Sequence, residues 1–314
     1  MELRSHAGNH NWGIDISDCK TMSEAITKAG LDWRVMECDV MANIVMPEGA
    51  TYFKQATRNK ALVRSSDETI LSVVGKDYKP VQNDLAFNFF DPIIQSGKAT
   101  LDCAGSTKDG RMVYVAAKIT GAEAEVLKGD PIKSFLLWSN SHGMNYALRG
   151  QFTSYRPSCT NAMTGWYSNH GKSHGRDYIS VPHKGDMNKA IEAMGRVIDQ
   201  SMQGFSMTIE AYKKMAKTKM SATAFKEYVR EVLETPETEL SMPRSYDVLE
   251  RIYEVGPGQD IKGVKGMYYG GYNAITHWID NYRGKNDAQK RLDSSLFGQG
   301  RVVRDRAFKI ALEK

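Results

Sequence analysis

The chain has only four cysteines in 314 residues, Cys19, Cys38, Cys103 and Cys159, and no two of them form a CxxC pair. That spacing argues against a zinc ribbon or a disulfide framework and leaves reduced, buried thiols as the expectation. No apolar run approaches the roughly 20 residues that span a bilayer, and the opening MELRSHAGNHNW lacks the apolar stretch of a signal peptide. A cytosolic protein without a membrane partner is expected. Residues 256–271 are rich in glycine but contain neither GxxxxGK(S/T) nor GxGxxG after a strand, so no nucleotide cofactor is expected. Ser139, Ser141 and His142 lie close together without a GxSxG elbow and read as a polar turn between strands, not a triad. His170 and His174 are four apart inside a glycine-flanked loop, where helical spacing has no geometric meaning, so no metal site is expected.

What is present points to a globular protein of mixed class. Hydrophobic residues make up 41% of the chain, and its length suits one large domain or two of ordinary size. TMSEAITKAG reads as a short helix with Thr21 as its cap, Glu24 completing a capping box and Gly30 ending it. ALVRS and TILSVVG form a hairpin around SDE. In KPVQNDLAFNFFDPIIQSG, Asn83 is placed to cap a helix that Pro92 kinks or ends. TLDCAGS and RMVYVAAKIT flank the turn KDG, with Val113, Val115, Ala117 and Ile119 on the buried face. IKSFLLWS and YALRGQFTSYR add two strands, and PSCTNAMTGWYS reads as a helix capped by Ser158 or Thr160.

Near Gly185 the pattern becomes helical. Met187, Ile191, Met194, Ile198 and Met202 recur at helical spacing, and a second helix, SATAFKEYVREVLE, opens at Ser221. SYDVLERIYEV, YNAITHWIDNYR, AQKRLDSSLF and RVVRDRAFKIALEK follow as further helices. The stretch GPGQDIKGVKGMYYGG between them reads as a long loop. The expectation is an α+β fold: an antiparallel sheet with packed helices over residues 1–185, then an all-α region over 186–314.

The candidate site comes from the cations. The net charge of +5 permits a nucleic-acid partner without requiring one. The strand at 148–156 alternates so that Arg149, Gln151, Thr153 and Tyr155 share a face, followed by Arg156. The loop behind it carries Lys172, Arg176 and Lys184 against Asp177 alone. With Arg111, Tyr114 and Lys118 from the neighbouring hairpin, these side chains would form an open furrow. Its cations would hold phosphates and Tyr114 and Tyr155 would stack on bases, at about 1–3 kcal/mol per stacked base. Single-stranded DNA is the partner such chemistry suits.

Several blocks carry a resemblance. AGLDWRV, VVGKDYKPVQNDLAFNFFDPII, LLWSNSHG, the strand into CTNAM, YNAITHWIDNYR, RLDSSLFGQG and RAFKIALE resemble, in order, the phage/plasmid-like proteins grouped as domain of unknown function 932. Where that family usually has Pro-Trp-His-Gly-Leu-Gly near its start, this chain has NHNWG. The resemblance implies a protein of phages and mobile elements acting in the cytoplasm of a bacterial host. It also singles out Tyr78, Gln82, Asn83, Asn140, Ser141, Arg156, Cys159, Asn161, His183 and Asn273, of which Asn161 and His183 join the nucleic-acid set. The order of hairpins, helix and appended helical region is similar to single-strand annealing proteins of the Rad52 and RecT type. The expected function is therefore non-enzymatic: binding single-stranded DNA and promoting annealing as a homo-oligomer. Two alternatives stay open. One is an interaction or regulatory protein that binds a host or phage protein, and the other is a hydrolase using Asp102, Asp109, His142 or His183.

Overall fold

In the computed structural model, the structure describes residues 12–88, 90–143, 148–158, 161–164, 178–181, 204–235, 242–284 and 287–314. The fold is α+β, as the sequence predicts. Its centre is a seven-stranded antiparallel sheet in the order β1 (Ile14–Asp15), β5 (Ala99–Thr107), β6 (Met112–Leu127), β7 (Asp130–Ser141), β8 (Leu148–Arg156), β10 (Tyr178–Val181). The seventh strand, β9 (Asn161–Thr164), pairs with the second half of β8, so β9 and β10 share one side of it. A separate three-stranded sheet runs β2 (Val35–Val45), β3 (Thr51–Arg64), β4 (Ile70–Gly75).

Strand alternation gives the large sheet two apolar faces. Val113, Val115, Ala117, Leu136, Trp138 and Phe152 lie on one, under α1 (Met22–Lys28), α2 (Asn83–Phe87) and α3 (Phe90–Gln95). Trp138 ties the layers together: its Nε1 donates to the Ala86 carbonyl at 3.0 Å and Phe90 meets it edge-on. Tyr114, Ala116, Phe135, Leu137 and Tyr155 lie on the other face, covered by Trp12 and by Leu296 at the end of α8 (Ala288–Phe297). A sheet buried on both faces makes the molecule three-layered, and the first face's core runs on into the helical region.

That region comprises the helix at 204–215 (α4), α5 (Ala222–Val232), α6 (Tyr246–Val255), α7 (Tyr268–Asn281), α8 and α9 (Gln299–Glu313). The expected starts of α1 and α5 hold, since Thr21 and Ser221 each accept from the backbone N–H three residues on. Asp287 caps α8 in the same way. The expected boundary at Gly185 and the helix of Met187–Met202 lie outside the described residues.

Several local expectations need correction. Within PSCTNAMT, Asn161–Thr164 form strand β9, not a helix, and Ser158 Oγ donates to Asp130 at 3.0 Å instead of capping. Asn83 is the first residue of α2 and its Nδ2 donates to the Leu31 carbonyl at 2.8 Å, so it fixes a neighbouring loop. Pro92 sits in the first turn of α3, where a missing N–H costs nothing. MYYGG is not loop, because Tyr268 opens α7 and Gly270 and Gly271 lie inside that helix. Glycine is used there for closeness. A Cβ on Gly270 would stand 2.4 Å from the Val264 carbonyl oxygen and 2.9 Å from Gln259 Oε1. Among the thiols, Cys103 is buried as expected, but Cys19 is half-buried and Cys38 exposed.

The β2–β3 hairpin, of which the sequence reading had only the ALVRS end of β3, is exposed along most of its length. Its strands pair from Val35↔Arg64 to Val45↔Thr51, yet β4 pairs only with Asn59–Val63 of β3. Beyond Asn59 the hairpin is a two-stranded ribbon, solvent-exposed on both faces apart from half-buried Val40, Ile44 and Ala56.

Gly270→Ala is expected to destabilise the fold by about 1–3 kcal/mol, the usual cost of forcing atoms into a packed core. A lowered midpoint in thermal or urea unfolding, relative to Ala substitution at exposed Gly75, where an added Cβ would meet nothing, checks this.

Candidate nucleic-acid interface

The structure places the expected furrow residues under cover. Gln151 is buried, donates through Nε2 to the Leu296 carbonyl at 2.8 Å and accepts from Arg301 at 3.2 Å. Tyr155 is 2% exposed, edge-on to Trp12 and Phe135 with centroids at 5.6 and 6.2 Å. Tyr114 is 1% exposed and donates its hydroxyl to the Trp12 carbonyl; burial raises its pKa, so it stays a neutral donor. Arg149 is half-buried on the same face. Among the described residues, no open furrow runs along this strand. Sequence alternation cannot distinguish a solvated face from one covered by remote segments, and both covers, Trp12 and residues 292–297, are far from Gln151 and Tyr155 in sequence.

Arg156 and Asn161 are buried for a different purpose. The Arg156 and Asp130 side chains are both 0% exposed and meet at 2.7 Å. Ser158 Oγ donates to the same carboxylate oxygen at 3.0 Å, and Tyr269 of α7 donates to the other at 2.9 Å while its ring lies 5.2 Å from the guanidinium. Arg156 also donates to the Gly258 carbonyl at 3.2 Å. Gly258 has φ +75°, and a Cβ there would stand 2.7 Å from the guanidinium, so both backbone and space require glycine. One strand further, Asn161 Nδ2 donates to Thr276 at 3.0 Å and its Oδ1 lies 3.0 Å from His277 Nδ1. The Ala162 N–H donates to Asp280, whose other oxygen accepts from Arg304 at 2.8 Å. The chain here is a polar joint between sheet and helices, not a ligand surface.

A second buried network holds the other block residues. His142 Nε2 lies 2.9 Å from Asn83 Oδ1, Asn140 donates to the Val81 carbonyl at 2.9 Å, and the Gln82 amide brackets both backbone groups of Val35. His142 is 0% exposed against Trp33, which removes it as a solvent-facing base. Among the described residues, no group of three or more His, Cys, Asp or Glu side chains could hold a metal ion.

The remaining expected contacts divide in two. Arg111 is exposed, while Lys118 is half-exposed and paired with Glu123 at 3.0 Å. Lys172, Arg176, His183 and Lys184 lie outside the described residues.

Exposed cations gather elsewhere, at the root of the ribbon. A pocket of about 500 Å³ opens there between Thr57, Arg58, Gly75, Lys76, Asp77 and Tyr78. Its walls are fixed by backbone bonds, Lys76 N–H to the Arg58 carbonyl at 3.0 Å and Tyr78 N–H to the Gly75 carbonyl at 3.0 Å. Tyr78 is half-buried, its hydroxyl donates to the Ser141 carbonyl at 3.4 Å, and burial pushes its pKa up to about 12. Lys54 and Lys79 are also exposed nearby in the sequence. Against the acid Asp77, the pocket offers two flexible cations to an anionic group. The sequence reading missed it because Arg58 and Lys76 are distant in sequence and become neighbours only through the β3–β4 pairing.

A comparison with family models matches residues 70–297 to a domain of unknown function, DUF932. The chain belongs to the DUF932 family. No curated protein and no solved structure matched. The DUF932 match opens at the first residue of β4 and closes at the last of α8, so it contains the Asp130–Arg156 pair with Tyr269, the His142–Asn83 contact and most of the pocket lining. The ribbon lies outside it, as do the blocks AGLDWRV and RAFKIALE. Among the described residues, no helix is long and apolar enough to cross a membrane.

Arg156→Ala would leave Asp130 charged and buried, and breaking such a pair costs about 3–5 kcal/mol. The expected outcome is a large drop in the urea midpoint, with Asp130→Ala/Arg156→Ala less damaged than the sum of the single changes.

Proposed function

We propose that this DUF932 protein is a non-enzymatic, phage- or plasmid-encoded protein that binds single-stranded DNA in the host cytoplasm and promotes annealing, like the Rad52 and RecT type. The observation that carries the reading is the cationic pocket at the ribbon root, where Arg58 and Lys76 stand exposed beside Tyr78. Phosphates bind the cations, and the strand runs over the sheet edge with its base edges turned outward, available to a complement. Lys172, Arg176 and Lys184 extend this reading on their charge alone, and Arg111 adds an exposed cation. The buried residues Tyr114, Gln151, Tyr155, Arg156 and Asn161 are not part of it.

A second reading, a protein that binds another protein, is favoured by the apolar side chains exposed on the ribbon. A pull-down whose captured protein survives nuclease treatment supports it.

An anisotropy titration with a labelled oligothymidine tests the first reading. Binding is expected at low salt and should weaken with a log–log slope of roughly −0.7 per phosphate contacted. Arg58→Glu/Lys76→Glu should weaken binding by about tenfold or more and flatten the slope by roughly 1.4, two contacts' worth. Absence of wild-type binding at low salt overturns the function, and an unchanged double variant overturns the pocket's part in it.

A further inference from the structure

The edge strand β2, with Met46 just past its end, bears the run Val40-Met41-Ala42-Asn43-Ile44-Val45-Met46, with no charge, no proline and no glycine. Among the described residues the sheet ends at β2, so the outer backbone N–H and C=O groups of that strand face away from any partner strand in the monomer. Soluble proteins blunt such edges with lysine, proline or a covering segment, because an exposed apolar edge templates further strand pairing. Here a bulge between Asp39 and Met41, at the root, is the interruption. Apolar side chains stand out on both faces. Met41, Val45 and Phe53 are 52, 65 and 70% exposed on one, and Tyr52 and Met46 are 50 and 40% exposed on the other. An isolated two-stranded ribbon is marginal in water, and this one is exposed on both faces.

We infer that two copies of this chain pair through β2, antiparallel across a two-fold axis at Asn43, into a four-stranded β3-β2-β2-β3 sheet. The sequence of the edge is what selects a second copy. An antiparallel self-pairing centred on Asn43 sets Val40 against Met46, Met41 against Val45, Ala42 against Ile44, and Asn43 against itself. Every pair is apolar except the central one, where two amides can bond to each other. The register thus satisfies the self-complementarity that an isologous contact demands. Charge agrees: between Val40 and Gln55 the ribbon carries one acid, Glu48, and one base, Lys54, so two copies do not repel and a polyanion gains nothing there.

Sedimentation equilibrium on the full chain, without nucleic acid, tests the pairing separately from DNA binding. The wild type is expected to be dimeric or larger, and Met41→Lys/Val45→Lys, on exposed positions, monomeric at the same concentration with an unchanged circular-dichroism spectrum. In a Cys38→Ser background, Asn43→Cys should oxidise to a disulfide-linked dimer, since the axis places the two residues within the roughly 4.4–6.8 Å Cα separation of a disulfide, about one strand spacing. Gln55→Cys, on the far strand, should not. A monomeric wild type, a charged variant that assembles like the wild type, or an Asn43→Cys chain that fails to cross-link while still dimeric each overturns the proposal.

Discussion

A fully buried ion pair between Asp130 and Arg156 fixes how the two halves of this protein meet. Neither charge is tolerable alone in an apolar interior, so each needs the other and a full set of hydrogen bonds. The partners come from both sides: Ser158 from the sheet, Tyr269 and Gly258 from the helical region. Apolar packing alone would allow α7 to slide along the sheet, because oil-like contacts are exchangeable. Asp130 can satisfy its oxygens at only one position of Tyr269. The neighbouring bonds from Asn161 to Thr276 and from Ala162 to Asp280 repeat the constraint a strand away.

From that joint follows the absence, among the described residues, of a free sheet face along β8. With α7 anchored to β9, α8 and α9 come to lie across the face that carries Gln151 and Tyr155, and Trp12 closes the remainder. A sheet used as the middle layer of three cannot also be a binding platform. Recognition is left to what the layers do not cover, which among the described residues includes the ribbon and the pocket at its root. The two surfaces differ in chemistry, one cationic and one apolar without net charge, so they suit different partners and can be occupied together.

How much of this was legible in the sequence depended on the range of the interaction. The helix starts at Thr21 and Ser221, the burial of Val113 to Ile119 and the helical periods after Ser221 are signals within a few residues, and they held. The β2 strand was missed because VMECDVMANIV mixes charge and apolar residues without clean alternation, as a ribbon exposed on both faces does. PSCTNAM was misread since Ser158 and Asn161 are good caps, while their actual partners, Asp130 and Thr276, are 28 and 115 residues away. The site failed for the same reason. Arg149, Gln151 and Tyr155 alternate like a solvated face, and only Trp12 and Leu296, remote in sequence, turn that face inward.

The ribbon poses a question that folding does not answer. Exposed positions are where substitutions cost least, and a lysine at Met41 or Val45 would touch no core contact while making the chain more soluble. The fold therefore gives no reason for a run of uncharged residues on an open edge. The Asp130–Arg156 pair and Tyr269 that it holds fall within the DUF932 match, whereas the ribbon precedes it, and none of those partners comes from the ribbon's tip. An element that adds nothing to the core and carries an unprotected edge is accounted for by what it meets outside the monomer. The near-symmetry of VMANIVM about Asn43 makes a second copy the partner that fits it on both sides of the axis.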